Sequence, residues 1–330
     1  MHGALMIIGL AGPELTPAEV AWVKTWQPVG FFLDARNLVS PVQARQLTDS
    51  LRRLSQRQPL VAVNSDDRQV LQTLFPSVPA AAELARLADS KAIGTAGMLT
   101  GELLRMIGVN FCFGPTLDLA DPAGDFGGVQ EQRWGDDPQR VIDHAGQWNR
   151  WLRKRGIASC AKSFPGGGRA VAGPGNGLPS VSTTLEALLR KDLLPYTALM
   201  PELDAIQVGH VAFPQLDADW PASLSPQVIR RLLRDQLGFD HHLVVPDDLT
   251  QLPVSSRYGL AQSAFQALLA GNDLVRIGHD PAAIQEVAAA IAKLPQPVQA
   301  DAWDRVERIR DKLHWPPPWN AAKFAETNVS

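Results

Sequence analysis

The sequence predicts one α/β domain, a single (β/α)8 barrel of the TIM type, and three observations carry the prediction. Eight short apolar runs suited to buried parallel strands recur along the chain, at residues 5–10, 29–33, 60–64, 109–113, 157–161, 205–208, 243–245 and 273–277. Segments with helical spacing separate them. Proline and glycine gather where these runs end, as they do in the loops at one face of a barrel. A doubly wound sheet is disfavoured, because no G-x-G-x-x-G follows the first run.

Several connecting helices carry start signals. Thr16 followed by Pro17 and Glu19 reads as a cap, a first-turn proline and a capping-box acid. Ser40 before Pro41 repeats the pattern, Thr183 precedes a helix with Glu186 at its third position, and Ser225 precedes Pro226. Residues 78–108 are alanine-rich and predict one long helix that feeds, through GELLRMIGVN, directly into the next strand. Two further helices are predicted at 281–294 and 300–313. The tail HWPPPWNAAKFAETNVS has three consecutive prolines, which exclude a helix there, and is expected to pack its tryptophans on the outer wall and then fray. The barrel is therefore placed at 1–315 and a tail at 316–330.

Composition narrows the function classes. A chain of 330 residues with 45% hydrophobic and 20% charged residues is ordinary globular material, and at this size roughly three quarters of the unfolded surface is buried. A formal net charge of -3 advertises no basic surface, so neither nucleic acid nor an anionic membrane is an expected partner. Cys112 and Cys160 fall inside predicted strands without metal-type spacing and read as buried free thiols. The opening MHGALMIIGLAG is too short and glycine-broken for a spanning helix and has no basic residues before its apolar run, which makes a cytoplasmic protein the expectation. No metal or organic cofactor is implied.

In a barrel, residues just after each strand converge on one mouth. They are Asn64, Asp118, Lys162, His210, Asp247 and Asp248, with Arg276 near the last strand. Asp247, closing the buried run LVVP, reads either as a functional carboxylate or as a cap for the next helix. Lys162 reads as a mouth lysine with a partner or as a solvated one, His210 as a site residue or a satisfied strand-end histidine, and Arg276 as an ion-pair partner ahead of a substrate contact. Ser163, His210 and Asp247 do not suggest a nucleophile triad, because no G-x-S-x-G surrounds the serine. The loop after 157–161 carries six glycines and three prolines through Pro179 but no carboxylate or histidine, so it can wrap a ligand yet cannot donate a catalytic proton. Two-carboxylate chemistry would then need a second acid from elsewhere, with Asp66, Asp67, Asp125 and Glu131 as the nearby candidates.

The strings FFLDARNLVSPVQARQLT, VNFCFGPTLDL, CAKSFPGGG and VGHVAFPQLDADWPASLSPQVIRRLLRDQLGFDHHLVVPDDL, in that order, resemble glycoside hydrolase family 3, especially its single-domain bacterial β-N-acetylglucosaminidases that act in cell-wall recycling. The resemblance runs from Leu5 to about Ile291. It implies the same barrel, a carbohydrate ligand such as an amino sugar or cell-wall fragment, and Asp247 as the nucleophile that forms a covalent glycosyl-enzyme. It also implies substrate-binding roles for Lys162, His210, Asn64, Arg133 and Asp118, with Ser163 standing where the family has the histidine of its KH pair.

The departures from the family pattern are specific. The family's D-x-H acid/base dyad aligns with Gly173 and Gly175, its DQEGGRV reads NSDDRQV with Asn64 and Gln69 at an aspartate and an arginine, and its ERSFG reads EQRWG, with Gln132 at the arginine and Arg133 one place later. Loss of a positioned general acid costs on the order of 10² to 10⁴ in rate. The expectation is a sugar-binding barrel with weak or no hydrolysis. An active retaining β-glycosidase with a non-standard acid is the alternative, and a scaffold with a residual mouth is the third reading.

Overall fold

The computed structural model describes residues 4–65, 70, 73–76, 78–121, 132–173 and 177–329. Eight strands form one parallel sheet: β1 (Met6–Gly9), β2 (Gly30–Leu33), β3 (Leu60–Asn64), β4 (Phe111–Thr116), β5 (Ala158–Phe164), β6 (Ala205–Val208), β7 (Leu243–Pro246) and β8 (Val275–Ile277). Their order is β7-β6-β5-β4-β3-β2-β1-β8. The ring closes between β7 and β8 through a parallel bridge from Asp248 to Arg276, with Leu249 N–H donating to the Arg276 carbonyl at 3.0 Å. This is the (β/α)8 barrel that the eight apolar runs predict. Each run is apolar along its length because one face fills the barrel and the other meets the helices.

Two strands outrun their apolar stretches. Strand β5 continues to Phe164, so Lys162 and Ser163 belong to the strand itself rather than to the loop beyond it. Strand β4 reaches Thr116 and sets Asp118 two residues past its end. Cys112 and Cys160 lie in β4 and β5 as buried free thiols.

The helices start where the caps foretell, with small shifts. Helix α1 (Pro17–Trp26) has the full capping box, with Glu19 N–H donating to Thr16 Oγ1 at 3.2 Å and Thr16 N–H to Glu19 Oε2 at 2.8 Å. Helix α2 (Pro41–Leu54) is capped by Ser40. The single helix expected over 78–108 is instead two, α3 (Ala81–Leu87) and α4 (Ser90–Met106). Ala88 takes a left-handed conformation with φ of 50° and Asp89 restarts the chain, its carboxylate accepting from Lys91 N–H at 2.8 Å. Asp and Ser side chains favour such caps over helix interiors. Helix α5 (Pro138–Lys154) packs on α4 so closely that a Cβ on Gly97 would lie 2.3 Å from the Trp148 carbonyl oxygen.

Helices α6 (Leu185–Arg190) and α7 (Leu194–Leu199) follow the loop after β5; Thr184, one residue after the expected Thr183, supplies the cap of α6. Helix α8 (Gln227–Gln236) is wound in the wide i→i+5 pattern, and Ser225 Oγ accepts from Val228 N–H at 3.1 Å at its start. Helices α9 (Leu252–Tyr258), α10 (Leu260–Leu269), α11 (Pro281–Ile291) and α12 (Gln296–Arg310) complete the wall.

The expectation that the tail frays is overturned. The prolines are non-helical, but Asn320 then caps α13 (Ala321–Val329), its side-chain oxygen accepting from Lys323 N–H at 3.0 Å. Phe324 of this helix is buried, with its ring 5.6 Å from Trp319 and 6.3 Å from Phe75, and Lys323 pairs with Glu102 of α4 at 3.3 Å. Among the described residues, no helix is long and apolar enough to cross a membrane.

Candidate active site

A cavity of about 350 Å³ opens among the carboxyl ends of the strands, and the seven residues singled out from the sequence, Asn64, Asp118, Arg133, Lys162, Ser163, His210 and Asp247, all line it. They converge because β3 through β7 each end on this face, which brings residues up to 183 positions apart to one mouth. Asp66, Asp67, Gln69, Asp125, Glu131 and Gly175, also named from the sequence, lie outside the described residues.

Asp247 follows β7 directly and is held by one oxygen. Its Oδ1 accepts from Gln207 Nε2 at 2.9 Å, from the backbone N–H of Asp248 at 2.7 Å and from Arg276 Nη1 at 3.4 Å. Its Oδ2 has no hydrogen-bond partner among the described residues, and the side chain keeps 27% of its surface open at the cavity. Burial pushes the carboxyl up, but the charge of Arg276, with lesser help from His210, the Asp248 N–H and Lys162, outweighs burial and holds it below its ordinary value. Asp247 is therefore an ionised carboxylate with one oxygen anchored and one open. Arg276 is itself braced, its guanidinium 3.8 Å from the Phe32 ring centroid and 5.3 Å from that of Phe113. The ion-pair reading of Arg276 is the one the geometry bears out.

His210 has both ring nitrogens engaged. Nε2 sits 2.9 Å from the Asp248 carbonyl oxygen and Nδ1 2.7 Å from Ser223 Oγ. A carbonyl only accepts, so Nε2 carries the proton, and the Ser223 hydroxyl donates to Nδ1. Burial lowers the imidazole's pKa, against the pull of Asp247, which keeps the ring neutral. The histidine thus ties the turn after β7 to the stretch before α8, and no Ser163–His210–Asp247 relay is assembled.

On the other side of the cavity, Lys162 Nζ donates to Asn64 Oδ1 at 2.7 Å. Asp118 is clamped by the end of β5, the loop beyond it and α7: its Oδ1 accepts from the backbone N–H groups of Ser163 and Gly167, each at 3.1 Å, and from the Tyr196 hydroxyl at 3.2 Å. Burial raises the Asp118 carboxyl above its ordinary value despite these donors and the nearby charge of Arg133. Arg133 is only 4% exposed, and its Nε and Nη1 have no hydrogen-bond partner among the described residues.

The glycine-rich loop doubles back on itself. Val171 and Ser180 exchange backbone hydrogen bonds of 3.0 and 2.9 Å, and a Cβ on Gly173 would meet the Leu178 carbonyl oxygen at 2.4 Å. A side chain at Gly173 has no room in this arrangement. Four contributors escape notice in the sequence. Gln207 is a polar residue in a buried four-residue strand, and that oddity was the available signal. Tyr196, Ser223 and Gln251 gave none, since each reaches the site region only through packing of the loops.

Comparison with known proteins agrees with the fold. Residues 5–311 match the model of the Glycosyl hydrolase family 3 N terminal domain. The chain is 29% identical over 315 residues to a Beta-hexosaminidase of Pseudomonas aeruginosa (strain LESB58), covering 94% of this chain and 92% of that one. It is 31% identical over 288 residues to a Beta-hexosaminidase of Methylococcus capsulatus, covering 86% and 85%. A glycoside hydrolase family 3 beta-N-acetylglucosaminidase from Paenibacillus sp. str. FPU-7 superposes with a TM-score of 0.89 at 25% identity, over 99% of this chain and 66% of that one. Native NagZ from Neisseria gonorrhoeae shares the fold, with a TM-score of 0.84 at 22% identity over 99% of this chain and 96% of that one. The chain belongs to glycosyl hydrolase family 3.

Proposed function

We propose that this barrel binds a carbohydrate, an amino sugar or a cell-wall fragment, at the cavity around Asp247, and hydrolyses ordinary glycosides weakly or not at all. The observation that carries the reading is the asymmetry of the site. Asp247 has the form of a nucleophile, ionised, with Oδ1 anchored by three donors and Oδ2 open. The described lining offers no histidine able to protonate a leaving group, because both nitrogens of His210 are engaged in holding the turn.

Attack by Asp247 Oδ2 on an anomeric carbon forms a glycosyl ester and expels the aglycone as an alkoxide unless an acid protonates it. Lys162, Asn64, Ser163 and Arg133 supply donors and an acceptor suited to sugar hydroxyls. Residues 1–315 are proposed as the barrel and 316–330 as an appended segment, in a cytoplasmic protein.

A second reading is favoured by two observations: the curated relatives are named hydrolases, and Asp118, with its raised pKa, lines the same cavity. On that reading the protein is a retaining β-glycosidase of the β-N-acetylhexosaminidase kind with a non-standard acid. Long incubation with a panel of aryl β-glycosides, beside Asp247→Ala, separates the two. Aryl leaving groups need little protonation, so release from them alone, lost in the variant, supports a surviving nucleophile without its acid. Comparable release from alkyl glycosides would establish the second reading. Absence of both release and saturable sugar binding would sink both.

A further inference from the structure

We infer that the carbohydrate taken by this cavity carries an acidic group, a carboxylate or a phosphate, and that Arg133 receives it. The inference rests on the sugar-binding reading above and specifies which sugars.

Arg133 lines the same cavity as Asp247 and is 4% exposed, yet its Nε and Nη1 have no hydrogen-bond partner among the described residues. A buried guanidinium is costly unless it is paired and its donors are met. Three other deeply buried arginine side chains, Arg52, Arg234 and Arg310, are each paired with a carboxylate, although Nε and Nη1 of Arg52 are likewise without a hydrogen bond among the described residues. Arg234 pairs with Asp273 at 2.9 Å and donates to the carbonyl oxygens of Gly271 at 2.7 Å and Phe239 at 3.1 Å. Arg133 has no ion pair with any described carboxylate. Asp118 feels its charge, with Oδ1 held by Ser163, Gly167 and Tyr196, but the two side chains form no ion pair.

The cavity wall therefore holds a guanidinium that no described carboxylate pairs with, and two of its buried donors are unmet by the described residues. A sugar hydroxyl can accept from such a group but leaves its charge uncompensated. A carboxylate or phosphate meets it with charge-assisted hydrogen bonds, for which the planar guanidinium is suited. Asp247 opposes an anion in the same space, so the acidic group lies at the Arg133 side, and Arg276, 3.4 Å from Asp247, offsets that repulsion locally.

The test is calorimetric titration of the full chain with methyl β-glucopyranoside, methyl β-glucuronide, methyl β-N-acetylglucosaminide and the 6-phosphate of the last, with Arg133→Met and Arg133→Lys alongside. The expected result is that an acidic member binds about tenfold or more tighter than its neutral parent. The preference should fall with added salt, vanish in Arg133→Met and survive in part in Arg133→Lys. The glucuronide and phosphate arms tell which acid is preferred. Neutral sugars binding as tightly as acidic ones would overturn the inference and leave the sugar-binding reading standing, whereas binding of none would overturn both. A preference that persists in a folded Arg133→Met protein would also overturn it, and if that variant does not fold, the wild-type comparison decides alone.

Discussion

Arg276 Nη1 lies 3.4 Å from Asp247 Oδ1 while its guanidinium rests 3.8 Å from the centroid of the Phe32 ring, so one side chain from β8 fixes the charge of the carboxylate that follows β7. Burial by itself raises Asp247, and Arg276, joined by smaller contributions from His210, the Asp248 N–H and Lys162, brings it below its ordinary value. The folded value is thus below the unfolded one, near 3.9 for aspartate. The carboxylate contributes stability above the unfolded value and loses it as pH falls through the folded one. In Arg276→Met, burial is expected to dominate and the Asp247 pKa to rise above its ordinary value. Carboxyl-carbon NMR titration of both proteins measures it, and an unchanged Asp247 titration would refute the assignment of Arg276 as the controlling charge.

Asp118 has the opposite sign. Burial raises its folded pKa, so the ionised form is a cost that is absent at low pH, grows as pH rises past the unfolded value, and saturates above the folded one. Asp118→Asn keeps an acceptor for Ser163, Gly167 and Tyr196 without the charge. Its Tm relative to the wild type is expected to be higher at pH 8 than at pH 4. Melting curves across that range check it, and a gap that stays constant or runs the other way would contradict the argument.

Introducing an acid/base pair at Gly173 and Gly175, the positions that the family resemblance aligns with the D-x-H dyad, is expected to fail. Gly173→Asp with Gly175→His would place a Cβ 2.4 Å from the Leu178 carbonyl oxygen, a clash with backbone rather than with a movable side-chain end. The double variant should melt lower than the wild type and gain no hydrolysis of alkyl β-glycosides. A clear gain in turnover would mean that the loop re-forms easily around a side chain.

Away from the site, Gly97→Ala tests the contact between α4 and α5. The added methyl would stand 2.3 Å from the Trp148 carbonyl oxygen, so the helices must separate. Overpacking of this kind typically costs about 1–3 kcal/mol. A Tm lower by several degrees, with Asp247 titrating as in the wild type, is the expected result, and an unchanged Tm would show that the pair yields without cost.

The sequence by itself determined the barrel and which residues gather at its mouth. Strand and helix periodicity, caps such as Thr16 with Glu19, and the position of Asp247 after LVVP are local features, and local features survive in a linear reading. Asn64, Lys162 and His210 were legible for the same reason, as polar residues at the ends of apolar runs.

The tertiary structure decided partnership. That Arg276 governs Asp247, that His210 is spent on Ser223 and Asp248, and that Tyr196 clamps Asp118 across 78 residues depend on ring closure and loop packing. The break at Ala88 and the docked helix after Asn320 were hidden similarly. A weak local preference is outweighed there by packing, as Phe324 shows by reaching the core beside Phe75 and Trp319. Which charges stand together, and so which carboxylate is ionised, is a property of distances across the closed barrel, and a one-dimensional order of residues does not contain them.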